Sequence, residues 1–168
     1  MAQRAAGDAL PEPRYPAKIA QPGDALQRIA ALLRPLVFTN GVFDILHRGH
    51  VTYLEQEKGL GTSLVVAVNS DASVRRLGKG DDRPLNALDD RMAVLAALAC
   101  VDLVVPFDAD TPRDLIIACA PDVLVKGGDY TSATTAGAAE VIARGGRFVA
   151  IPFRHHRSTT SLLRRIRG

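Results

Sequence analysis

Two histidines, His47 and His50, stand three residues apart in the string Asn40-Gly41-Val42-Phe43-Asp44-Ile45-Leu46-His47-Arg48-Gly49-His50. At that spacing near the start of a helix, both imidazoles lie on one face and can reach the same anion. A short apolar run, Leu36-Val37-Phe38-Thr39, precedes the string, and a helix-like run over residues 51–58 follows it. A strand, a glycine-bearing turn and a helix start are thus laid end to end. That order aims unpaired N–H groups and the positive end of the helix dipole at one point, which suits phosphate. Gly49 keeps the backbone low enough for a bulky ligand to approach. Two other uses of the pair remain: one histidine could cap a polar turn, or both could bind zinc. Zinc needs a third and fourth ligand, and His155 and His156 are the other histidines available. Strand, turn, glycines and helix start together favour a triphosphate site.

Other groups could serve the same chemistry. Lys79 lies between Gly78 and Gly80, with Asp81, Asp82 and Arg83 after it, in a polar stretch that reads as a mobile loop. A lysine so placed can swing onto phosphates as a lid, or it is an ordinary solvated lysine. Arg83 and Arg91 are candidates for a sugar phosphate or the triphosphate, and Arg91, beside Met92 at a helix start, needs a partner if buried. Asp44 could orient a histidine, hold magnesium through water, or bond nearby backbone N–H groups as a turn residue. Lys126-Gly127-Gly128-Asp129 ends an apolar run with two glycines, so a ligand or a close backbone approach is expected there. Ser158-Thr159-Thr160-Ser161 opens a last helix with hydroxyls, which can bind an anion, cap the helix, or do both.

The elements that must position these groups alternate. Asp24 can cap a helix over residues 25–33, and strands are expected at 36–39, 63–68, 102–107, 122–126 and 147–152. Helices are expected from His50 to about 59, and at 88–99, 111–119, 133–144 and 160–167, with Pro112 tolerated in a first turn. Ser63-Leu64-Val65-Val66-Ala67-Val68 is continuously apolar after its serine, the mark of a strand buried on both faces. The alternation predicts an α/β fold, a Rossmann-like, doubly wound, five-stranded parallel sheet with flanking helices. Ligands of such sheets bind beyond the carboxyl ends of the strands. The segments 39–50, 69–71 and 126–129 all fall there.

At this point the chain resembles a known family. His-x-Gly-His after a strand, preceded by Gly41-Val42-Phe43-Asp44, looks like the nucleotidyltransferase superfamily that includes the cytidylyltransferases. Class I aminoacyl-tRNA synthetases share His-x-Gly-His, so the remaining motifs narrow the match. Val66-Ala67-Val68-Asn69-Ser70-Asp71, Arg83-Pro84-Leu85-Asn86, Asp90-Arg91-Met92, Val104-Val105-Pro106-Phe107, Val125-Lys126-Gly127-Gly128-Asp129-Tyr130 and Ser158-Thr159-Thr160-Ser161 follow in order. Together they are similar to the ADP-heptose synthase adenylyltransferase domains, over about residues 24–168. The resemblance implies transfer of AMP from magnesium-ATP to a heptose 1-phosphate, with release of pyrophosphate. His47, His50 and Lys79 would carry the reaction. Thr39, Asn40, Gly41, Phe43, Asp44, Lys126, Gly127, Asp129, Ser158, Thr159 and Thr160 would bind nucleotide, and Asn69, Asp71, Arg83 and Arg91 the sugar phosphate. Arg157, with Arg154, His155 and His156 before it, departs from the apolar or small residue usual before the Ser-Thr-Thr. No sugar-kinase segment accompanies the domain here, so the preceding phosphorylation is expected of a separate protein. A CTP-dependent enzyme acting on glycerol 3-phosphate, or a nucleotide-binding module without catalysis, are the alternatives.

Composition sets the outer limits. A chain of 168 residues, 47% hydrophobic and 23% charged, is expected to form one globular domain over residues 24–168. Residues 1–23, broken by Pro11, Pro13, Pro16 and Pro22, read as a loose tail that lacks a signal-peptide core and could order against a neighbouring subunit. No apolar run approaches a membrane span. Cys100 and Cys119 in apolar surroundings read as buried thiols of a reducing compartment, hence a cytoplasmic enzyme, expected to be a homo-oligomer. From residue 141 onward there are seven arginines and no acid, an electropositive rim for phosphate or a solvated basic surface. Nucleic acid is disfavoured: the 5% of aromatic residues do not interleave with those arginines as stacking platforms would.

Overall fold

The computed structural model describes residues 10–78 and 82–152. Five strands, β1 (Leu36–Gly41), β2 (Ser63–Asn69), β3 (Leu103–Phe107), β4 (Val123–Gly127) and β5 (Arg147–Ile151), form one sheet in the order β3-β2-β1-β4-β5. Every pairing is parallel. The chain steps outward from β1 to β3, then returns to the other side of β1 for β4. β1 and β4 are therefore the strands between which the winding reverses, and only Val37 with Val123 and Phe38 with Leu124 are paired there. Beyond those pairs the two strands diverge and leave a crevice at their carboxyl ends.

Alternation along the strands builds two cores. Val37, Leu64, Val66, Val68, Val104, Val123 and Val125 face α2 (Arg48–Lys58) and α4 (Leu88–Ala96). Leu36, Phe38, Val65, Ala67, Leu103, Val105 and Leu124 face α1 (Ala25–Ala30), α5 (Arg113–Cys119) and α6 (Ala138–Ala143). Both faces of β2 are covered, and all seven of its residues are buried. At the amino ends of the strands, two aspartates act as staples. Asp102 Oδ2 accepts from Leu64 N at 2.6 Å, and Asp122 Oδ2 accepts from Leu36 N at 2.6 Å.

Several boundaries differ from expectation. β1 continues through Asn40 and Gly41, which pair with Ala67 and Val68, because its partner strand runs on past Thr39. α2 begins at Arg48 rather than after His50. A short helix, α3 (Asp71–Arg76), was not foreseen; Ser70 caps it, its Oγ accepting from Ser73 N at 3.0 Å. α6 is only the second half of the expected helix, because Gly137 at φ 84° breaks the path in and Thr131, Thr134 and Thr135 bond one another in a turn. Asp24 does precede α1, but its Oδ1 accepts from Gln21 N instead of a helix N–H. Part of the segment read as a loose tail is packed: a 3-10 turn, Tyr15–Lys18, leads to Ile19, which bridges to Val104, and to Ala20, whose N–H donates to Val104 O at 2.9 Å. An open sheet edge at β3 supplied the partners. The expected last helix at 160–167 lies outside the described residues.

Candidate active site

The turn between β1 and α2 is strained. Phe43 takes φ 51°, a left-handed conformation disfavoured for a bulky side chain. This turns its ring into the core, 5.5 Å from the His50 ring and edge-on to it. A side chain at position 41 would begin 3.0 Å from that ring and could be held only if the ring gave way by a few tenths of an ångström. His47 is the N-cap of α2 and His50 its third residue, in a capping-box arrangement with histidines in place of the usual Ser and Glu. Their rings stack with centroids 3.9 Å apart. His47 N–H donates to His50 Nδ1 at 3.4 Å. A neutral His50 accepting at Nδ1 carries its proton on Nε2 and can donate there. Burial, and then the neighbouring His47, lower its pKa from 6.5 to about 4, so the free protein holds it neutral.

A cavity of about 410 Å³ opens in the crevice at the carboxyl ends of β1 and β4, within the usual range for a small-molecule site. Thr39, Asn40, Gly41, Asn69, Lys126 and Gly127 line it. Lys126 Nζ donates to Asn40 O at 3.3 Å and lies 5.6 Å from the centre of the Tyr130 ring. His47 and His50 flank the cavity instead of lining it; the His50 ring is 5.8 Å from that of Tyr53, which forms part of the wall. Gly128 takes φ 111° after β4, the glycine-dependent turn expected there, while Asp129 is exposed and outside the lining.

Three residues expected at the ligand have partners within the protein. Asp44 is buried; its Oδ1 accepts from Leu85 N at 2.8 Å and Asn86 N at 2.9 Å, and its Oδ2 forms an ion pair with the buried Arg83. It ties the β1–α2 turn to the segment before α4, with its backbone partners 41 and 42 residues away rather than within a local turn. Arg83, expected at the sugar phosphate, is held in that ion pair. Arg91 is buried and donates to Asn86 O at 3.0 Å, Val42 O at 2.6 Å, Asn69 O at 2.8 Å and Asp71 Oδ1 at 2.7 Å. Its fork joins the ends of β1 and β2 to α3 and so positions the cavity wall, and it engages Asp71 as well. Asn69 keeps its place in the wall, its Nδ2 donating to Ser73 Oγ at 3.0 Å. Lys79, Ser158, Thr159, Thr160 and the cluster from Arg154 to Arg157 lie outside the described residues.

The sequence reading passed over Glu57, Tyr53, Asp110 and Thr111. The last two bring the β3–α5 loop to the cavity. Glu57 is fully buried and accepts from Thr39 Oγ1 at 3.0 Å. Its signal was spacing: 50, 53, 54 and 57 share one helix face, and that face is apolar enough to be the buried one.

Comparison with known proteins settles the family. The chain matches the cytidylyltransferase-like family over residues 38–165. It belongs to that family. It is 60% identical over 156 residues to a D-beta-D-heptose 1-phosphate adenylyltransferase of Bordetella bronchiseptica, covering 92% of this chain and 96% of that protein. It is also 60% identical over 131 residues to the bifunctional protein HldE of Shewanella denitrificans, covering 78% of this chain but 27% of HldE. Among solved structures, a lipopolysaccharide core biosynthesis protein from Thermoplasma volcanium superposes with a TM-score of 0.60 at 29% identity, over 73% of this chain and 98% of that one. A pantothenate synthetase from Thermus thermophilus does so at 0.54 and 19% identity, over 80% of this chain and 61% of the other, a likeness of fold alone.

Proposed function

We propose that this member of the cytidylyltransferase-like family is an adenylyltransferase that transfers AMP from ATP to D-glycero-β-D-manno-heptose 1-phosphate. A phosphate oxygen of the sugar attacks the α-phosphorus, the α–β bridge breaks, and pyrophosphate leaves as ADP-heptose forms for a surface glycan. One observation carries the reading: the β1–α2 turn with its stacked histidines and the Lys126–Gly127 strand end meet at one cavity, in a chain 60% identical to a named heptose 1-phosphate adenylyltransferase. The nucleophile is already anionic, so no strong general base is required. Alignment and charge neutralisation must supply the acceleration.

His50, neutral with its proton on Nε2, and His47 donate to the triphosphate as charge grows on the α–β bridging oxygen. Lys126 adds a positive charge from the cavity wall. Lys79 and the hydroxyls of Ser158, Thr159 and Thr160 complete the phosphate contacts in this proposal, and Asn69 serves the acceptor side. Magnesium enters with ATP as part of the substrate. Among the described residues no group of three His, Cys, Asp or Glu side chains could hold a metal. Among those residues, too, no helix is long and apolar enough to cross a membrane. A cytoplasmic homo-oligomer is the remaining part of the proposal, and sedimentation of the full chain tests its assembly.

Pyrophosphate release, measured with ATP or CTP against heptose 1-phosphate or glycerol 3-phosphate, tests the function. Release with ATP and heptose 1-phosphate is expected. Release only with CTP and glycerol 3-phosphate would replace the reading with the cytidylyl alternative, and nucleotide binding without release from any pair would leave a binding module.

A further inference from the structure

Beneath the turn that ends β1 lies a carboxyl group that the reaction as drawn does not use. Glu57, in the last turn of α2, has no exposed surface. Thr39 Oγ1 donates to its Oε1 at 3.0 Å, and its buried Oε2 has no hydrogen-bond partner. The titratable groups that act on it, or on which it acts, are the Tyr53 phenol on its own helix, the Lys126 ammonium on β4 and the Cys100 thiol beyond α4. The β2 side chains on that face, Leu64, Val66 and Val68, are apolar. Thr39 and Lys126, which both influence Glu57, also line the cavity. The carboxyl is thus one residue's thickness below the place where phosphates would lie. Burial raises its pKa to about 8, with the Thr39 hydrogen bond and the Lys126 charge pulling the other way.

Ionised, Glu57 offsets part of the Lys126 charge; protonated, it leaves that charge whole. A triphosphate above Thr39 and Lys126 adds several negative charges across a floor of low dielectric, which disfavours a carboxylate beneath it. We propose that Glu57 is a positioning residue that takes up a proton from solvent when a nucleoside triphosphate binds, so that the site presents the whole Lys126 charge to the phosphates. The proton passes from buffer to the carboxylate and none passes to substrate. The inference rests on the nucleotide-binding reading given above.

Calorimetric titration of Mg–ATP into the full chain near pH 8, in two buffers of different ionisation enthalpy, reads the proton directly. Uptake of about half a proton is expected there, since a group at its pKa is half protonated before binding and fully protonated after it. Above that pH the affinity should weaken toward about tenfold per pH unit. Glu57→Gln keeps an acceptor for Thr39 but cannot titrate, so its uptake should vanish and its affinity should stay level with pH. Binding by the unaltered protein without proton uptake would overturn the inference with no variant needed, as would uptake that persists in Glu57→Gln. Absence of any Mg–ATP binding would instead overturn the nucleotide reading, and this inference with it.

Discussion

The histidine pair shows how one feature can be both cap and ligand. His47 and His50 brace each other at the start of α2, and that brace fixes the tautomer in which His50 presents a donor. Replacing either by alanine should lower kcat at least about a hundredfold, the size of losing one oxyanion-hole donor. Thermal stability should change far less, and steady-state kinetics beside a melting curve will separate the two effects. Near-normal turnover would leave that histidine a cap. Arg91 behaves in the opposite way. Its four donations hold backbone oxygens and Asp71 at the end of the sheet. Arg91→Ala strands a half-buried carboxylate and several carbonyls, and should cost about 3–5 kcal/mol in denaturant unfolding. Arg91→Lys should recover little, because an ammonium cannot span partners set by a planar fork. The sequence marked Arg91 as needing a partner, yet could not say whether that partner was substrate or backbone. The difference depends on Asn69 and Val42 arriving from two strands, which no local spacing encodes.

At the scale of elements, the alternation of strands and helices was legible because burial on both faces leaves unbroken apolar runs such as residues 64–68. What escaped was set by long-range pairing. Asn40 and Gly41 are turn formers by type, but the continuing register with Ala67 and Val68 keeps them in β1. Ser70 stands out in the sequence only as part of a motif, although its hydroxyl caps α3. The staples at the amino ends of the strands look there like simple strand starts. Asp122 Oδ2 accepts from Leu36 N and also pairs with Arg34 Nε at 3.1 Å, so one carboxylate fastens β4 to β1 at the reversal of the sheet. Asp122→Ala should destabilise the fold by about 1 kcal/mol, the ordinary worth of a hydrogen bond, as read from the shift of the urea midpoint. Asp122→Asn should recover most of it. Loss of ATP binding in Asp122→Ala without loss of stability would contradict the assignment, since this end of the sheet is opposite the cavity.

For the molecule as a whole, the half-buried His50 and the buried Glu57 bend the pH dependence of stability in opposite directions. His50 has its pKa lowered from 6.5 to about 4, so the unfolded chain binds more protons between those values and stability falls as pH drops through them. Glu57 has its pKa raised from 4.5 to about 8, so the folded chain binds more protons and stability falls as pH rises across that interval. Glu57→Gln should therefore raise the melting temperature, and the gain should grow from about pH 5 to about pH 8, as those limits require. A gain independent of pH would mean that Glu57 is not held protonated in the fold. The central claim, that the cavity between β1 and β4 joins a sugar phosphate oxygen to the α-phosphorus of ATP, is tested most directly by oxygen labelling. Heptose 1-phosphate carrying ¹⁸O on its non-bridging phosphate oxygens should be turned over with unlabelled Mg–ATP and both products weighed by mass spectrometry. The mechanism predicts that every labelled oxygen remains in ADP-heptose, one of them now bridging the two phosphorus atoms, and that pyrophosphate is unlabelled. Label in the pyrophosphate, or turnover that yields no ADP-heptose, would contradict it.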